Sequence, residues 1–83
     1  MDMRRVTFTG SSLAGARFIN QDLEGSSFRE ASLIDTYFEG CRLVDVSFRG
    51  ARLRNVTTKD CVILGVDLTG ADMDDVSRLH LSA

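Results

Sequence analysis

Residues 28–53 read FREASLIDTYFEGCRLVDVSFRGARL. Every fifth residue is large and apolar, and Phe and Leu alternate without a miss: Phe28, Leu33, Phe38, Leu43, Phe48, Leu53. Two residues before each stands a small side chain: Ser26, Ala31, Thr36, Cys41, Val46 and Ala51. The residues between are mostly polar or charged. A helix repeats its buried face every 3.6 residues and a strand every 2, so a period of five fits neither.

The register extends in both directions. Phe8, Leu13, Phe18 and Leu23 precede the stretch, and Thr58, Ile63, Leu68 and Met73 follow it. Thirteen of these fourteen central positions are apolar, so Thr58 is the single break. Gln21 is the poor fit among the small positions. Gly or Asn closes many of the fives (Gly10, Gly15, Asn20, Gly25, Gly40, Gly50, Asn55, Gly65, Gly70), as a turn at each step prefers. After Met73 the next central slot is Arg78, which does not belong inside.

The chain has 83 residues, so it makes one small domain with a modest core. A net charge of −2 gives no strong field toward nucleic acid or an anionic membrane. The opening MDMRRVTFTG lacks an apolar run of signal-peptide length, and no stretch approaches transmembrane length. Asp2 excludes N-myristoylation. These features lead us to expect a cytoplasmic protein with no membrane contact. Its two cysteines are then expected to be free thiols.

Segments such as LAGAR, FRGAR and LTGAD resemble the A(D/N)LxG signature of the pentapeptide repeat family, over roughly Val6 to Asp75. Long internal repetition in one register is the mark of a solenoid. The resemblance implies an all-β fold: a right-handed quadrilateral parallel β-helix of about 3.5–4 coils, one five-residue step per side. Residues 1–75 would form the coil and 76–83 a C-terminal cap or tail.

On a four-sided coil, residues twenty apart stack at the strand spacing of about 4.8 Å. Phe8, Phe28, Phe48 and Leu68 would form one ladder, facing Phe18, Phe38 and Thr58. Leu13, Leu33, Leu53, Met73 and Leu23, Leu43, Ile63 would line the other two sides. Thr58 would leave the core beside Phe38 underfilled, so Thr58→Leu is expected to stabilise. Cys41 and Cys61 would stack in one corner as small buried residues.

Outward positions would set Asp22 under Arg42, Glu39 under Lys59, Arg52 under Asp72 and Arg54 under Asp74. Arg17 under Tyr37 suits a cation–π contact. Arg29 under Arg49 reads as an anion site or as two solvated guanidiniums. Val44, Val62 and Leu64 make an outward apolar cluster, and Val76, Leu79 and Leu81 give the tail an apolar side. These six are the candidate interface residues.

Little in the sequence suggests catalysis. His80 is the lone histidine and reads as an ordinary terminal one. Asp67, Asp72, Asp74 and Asp75 lack calcium-loop spacing, and no phosphate-cradling glycine motif occurs. The expectation is a non-enzymatic protein-interaction module with no cofactor, metal or small-molecule substrate. Its protein partner is unspecified, and it is expected to form a homodimer, with the C-terminal end favoured over the Val44 face as the contact. The alternative implied by the resemblance is imitation of duplex DNA to bind DNA gyrase.

Overall fold

A corner every five residues needs backbone that can turn, and the chain supplies it. A computed structural model describes residues 2–81. Met1, and the last two residues of the tail read as 76–83, lie outside them. At every fifth residue from Arg5 to Gly70 the angle φ is positive. Seven of these corners are not glycine: Arg5, Asn20, Glu30, Asp35, Asp45, Asn55 and Asp60. Asn and Asp tolerate this left-handed region; Arg and Glu adopt it at a cost. At Glu30 φ is 57° and the side chain is exposed. Glu30→Gly is therefore expected to raise stability by about 0.5–1 kcal/mol, after allowance for the entropy of glycine. A urea midpoint that stays put or falls would refute it.

Between corners the chain is extended, and its pairing is parallel. The strands are β1 (Arg17–Ile19), β2 (Tyr37–Glu39), β3 (Arg42–Val44), β4 (Arg52–Leu53), β5 (Thr57–Lys59), β6 (Val62–Leu64) and β7 (Asp72–Met73). They form sheets β1-β2-β5, β3-β6 and β4-β7. Partners are always twenty residues apart, as in Phe18↔Phe38, Leu43↔Ile63 and Leu53↔Met73. Thr7, Ser27, Ser47 and Asp67 join the fourth side by single bridges. Four fives thus complete a turn, and the chain is a parallel β-helical solenoid.

Two sets of main-chain bonds hold the coils together. Central N–H groups donate to the carbonyl nineteen residues on: Phe8 to Ser27 (2.7 Å), Phe28 to Ser47 (2.7 Å), Phe48 to Asp67 (2.8 Å). The residue before each donates twenty-one back: Ser27 to Val6 (3.0 Å), Ser47 to Ser26 (3.1 Å). Every bond is therefore long-range in sequence, and neighbouring coils fix one another's register.

The interior is two aromatic ladders meeting edge to face. Phe8, Phe28 and Phe48 stack at centroid spacings of 4.8 and 5.3 Å, and Phe18 and Phe38 at 5.1 Å. Across the axis, Phe28 meets Phe18 at 82° and Phe38 at 84°. Both geometries suit the ring quadrupole. Leu23, Leu33, Leu43 and Leu53 close the remaining sides and are fully buried. Phe8, Leu13, Ile63, Leu68 and Met73 point the same way but are only half-buried, because they belong to the outermost coils.

Small inward positions have polar work as well. Ser26 donates to the Met3 carbonyl (2.6 Å), Thr36 to Leu13 (3.2 Å), Cys41 to Phe18 (3.2 Å) and Cys61 to Phe38 (3.4 Å). Each reaches the central residue twenty-three positions earlier. A buried hydroxyl or thiol is thereby satisfied at the corner. Gln21 is the exception: its Nε2 donates to the Ile19 carbonyl (2.9 Å), while its buried Oε1 has no partner.

The tail is an ordered cap. Helix α1 (Asp75–Leu81) lies over β5, where the next coil would have continued. Asp74 is its N-cap, accepting from the Ser77 N–H through Oδ1 (2.9 Å). Leu81 is fully buried and joins the core. This corrects its reading as an interface residue: it faces inward and closes the end of the coil.

Candidate interaction surface

The surface is built from outward positions on flat sides, and its chemistry follows the register. Arg42 bridges Asp22 (2.9 Å) and Glu24 (3.0 Å) on the coil below. The Arg17 guanidinium lies 5.4 Å from the Tyr37 ring centroid. The Tyr37 hydroxyl donates to Glu39 (2.7 Å), so Glu39 is engaged there as well as standing beside Lys59. Exposed pairs of this kind contribute about 0–1 kcal/mol each.

Two expected pairings give way to one. Arg52 and Asp72 are in register, but Asp72 takes Arg54 (3.2 Å). Asp74 is unavailable to Arg54 because it serves the cap. Arg49 meets Asp67 at 3.8 Å, so the Arg29–Arg49 stack is partly neutralised and does not stand as a two-guanidinium anion site.

The cap meets the open edge of the last coil through side chains. Asn55 N–H donates to Asp74 Oδ2 (2.8 Å), Val56 N–H to Ser77 Oγ (2.9 Å) and Thr58 N–H to His80 Nδ1 (3.1 Å). Asn55 and Thr58 correspond to positions that elsewhere donate to a main-chain carbonyl nineteen residues on. Carboxylate and imidazole replace those two carbonyls, while the Ser77 hydroxyl takes Val56 much as Ser26 takes Val6 (3.2 Å). Accepting from an amide leaves the proton of a neutral His80 on Nε2. These amide bonds, the Ser77 N–H first, hold the Asp74 carboxyl below its ordinary range. A depressed carboxylate supports the fold above its unfolded titration range, and that support is lost as acid protonates it.

Thr58 belongs to this contact. Its hydroxyl lies 3.2 Å from His80 Nδ1 and 3.5 Å from the His80 carbonyl. The break in the ladder and the lone histidine are two halves of one junction. The expected gain from Thr58→Leu is therefore reversed: a bonded hydroxyl sits where a cavity was foreseen. Thr58→Leu is now expected to destabilise by about 0.5–1.5 kcal/mol, the net contribution of a typical intramolecular hydrogen bond. A raised melting temperature would contradict this.

Cys41 and Cys61 are both free, the first buried and the second half-buried. Burial pushes the Cys41 thiol above its ordinary value, which keeps it protonated and slow to react. Ellman's reagent should find two thiols in denatured protein and label Cys61 first in the native state. Equal native rates would argue against the placement of Cys41.

Of the six candidate interface residues, the structure brings Val44 and Leu64 side by side in register, with Val62 on the same face. Leu64 is 59% exposed and Val62 47%. Val76 and Leu79 are exposed on α1, away from Leu81. Among the described residues no cluster of His, Cys, Asp and Glu could hold a metal ion. Among the same residues no helix is long and apolar enough to cross a membrane.

The model of the pentapeptide repeat region matches residues 11–80. The chain belongs to the pentapeptide repeat family. Among solved structures it resembles a pentapeptide repeat protein, Rfr23, from the cyanobacterium Cyanothece 51142. That match has 19% identity and a TM-score of 0.55, over 89% of this chain and 60% of that one. HetL, a pentapeptide repeat protein involved in heterocyst differentiation regulation in Nostoc sp. strain PCC 7120, matches at 20% identity. It covers 90% of this chain and 41% of HetL, with a TM-score of 0.29. This pentapeptide repeat chain thus spans less than two thirds of either structure. No curated protein matches it in sequence.

Proposed function

We propose that this pentapeptide repeat chain is a non-enzymatic protein-interaction module, and that its coil is right-handed with about 3.5–4 turns. The observation that carries the reading is the division of labour along each five. Inward positions are consumed by core ladders and corner hydrogen bonds, and outward positions form flat, patterned sides. His80 is occupied by the cap and both thiols by main-chain carbonyls, so these groups serve the fold rather than chemistry. A flat side recognises another surface, whereas small molecules need a concave site. We place the module in the cytoplasm, where free cysteines persist.

Imitation of duplex DNA toward gyrase asks for an acidic face. Here Arg42, Arg49, Arg52, Arg54 and Lys59 interrupt the acidic positions, and the net charge is only −2. A pull-down with outward-face variants tests the interaction reading: capture should vanish with face substitutions that leave the melting curve unchanged. A gyrase supercoiling assay separates the two readings. Inhibition or protection at stoichiometric protein would overturn the first in favour of the second.

A further inference from the structure

We propose that the side carrying Val44, Val62 and Leu64 docks a second copy of this chain across a two-fold axis. The inference rests on the interaction-module reading and names one partner for it. Val62 and Leu64 stand outward at the two ends of β6 with Ile63 turned inward between them, and Val44 of β3 lies beside Leu64. Adjacent outward apolar residues on a flat side are a surface to be covered.

The same side is charged lower down, but its charges are already answered. Arg42 holds Asp22 and Glu24, and Arg4 holds Asp2 at 2.9 Å. Little net charge therefore opposes contact between two such sides. A two-fold axis in the interface, parallel to the stack of coils, reverses each strand and sets each coil against its own counterpart. Val62 then meets Leu64 of the second copy, Val44 meets the aliphatic stem of Arg42, and Asp2 meets Arg4. Asp22 meets Glu24, and the Arg42 of each copy lies between them. The contact is self-complementary, as a closed dimer requires.

The molecule measures 27 × 23 × 23 Å. One whole side against another buries on the order of 1,000 Å² in total, the lower bound for a specific interface. That size fits a reversible dimer at micromolar concentration. The other apolar surface, Val76 and Leu79 on α1, is a ridge on a seven-residue helix between Asp75 and Arg78, and offers less flat area.

Sedimentation from about 1 to about 500 µM brackets such an affinity. The weight-average mass should climb from 9.1 kDa toward twice that value. Val62→Asp with Leu64→Asp should weaken association at least tenfold while leaving the circular dichroism spectrum unchanged. Leu79→Asp should leave association intact. In a Cys41→Ala, Cys61→Ala background, a mixture of Val62→Cys and Leu64→Cys chains should cross-link faster than either alone. A monomer throughout the range, or association lost with Leu79→Asp and kept with Leu64→Asp, overturns the proposal. Failure to capture any other protein would instead count against the wider module reading.

Discussion

Phe38→Ala should destabilise the protein by about 3–5 kcal/mol, the range for truncating a fully buried phenylalanine. Phe38 stacks on Phe18 at 5.1 Å and presents edges or faces to Phe28 and Phe48 at 6.2 and 6.5 Å. Its removal opens both ladders at once, and coils pinned by main-chain bonds in both directions cannot collapse into the space. For a domain of this size such a loss approaches the whole stability. Phe8→Ala should cost clearly less, since Phe8 is half-buried on the first coil. Urea unfolding followed by circular dichroism measures both. Equal effects would mean that position along the coil does not matter, and would contradict the ladder account.

Leu81→Ala should cost about 2–5 kcal/mol, although it sits near the end of the chain. Terminal residues usually tolerate truncation because they are poorly tied down. Leu81 is fully buried, and it is the apolar anchor of a helix whose remaining hold is three side-chain acceptors on Asn55, Val56 and Thr58. Ser77→Ala should add a distinct signature, since it leaves the Val56 N–H buried without an acceptor, at about 1–3 kcal/mol. Hydrogen exchange at Val56 and Thr58 should accelerate in both variants. Unchanged exchange at these amides would show that α1 does not protect the edge.

The coil was legible because its rule is carried by residue identity. Phe or Leu at each central position, with a small residue two before, fixes which side chains enter the core. The twenty-residue stacking then gives the Phe18–Phe38 and Leu43–Ile63 pairs. The corners were half legible. Glycine and asparagine announce a turn, but Arg5 and Glu30 hold the same left-handed angle through their neighbours alone. The cap was not legible. In sequence Thr58 is a break in the ladder and His80 an ordinary terminal histidine, and only the placement of α1 over β5 joins them. Leu81 was misassigned for the same reason, because apolar residues in a non-repeating tail carry no period to tell inward from outward. The charge exchange between Arg54 and Asp72 was hidden by the commitment of Asp74 to the helix. On the candidate surface, Val44, Val62 and Leu64 were legible because outward slots follow from the register.

The cap's way of meeting the coil has a consequence for length. Asp74, Ser77 and His80 sit three residues apart and take the main-chain amides of Asn55, Val56 and Thr58, and His80 also meets the Thr58 hydroxyl. The terminator therefore closes any rod whose last turn carries the Asn55–Thr58 edge. Duplicating residues 34–53 would insert one full turn and return the same edge to the same helix. An insertion of five between Thr58 and Asp74 would instead carry the helix one side on, away from the Asn55–Thr58 edge it protects. Rod length in such a chain can change by whole turns of twenty residues, which keep Phe stacked on Phe and leave the stop untouched.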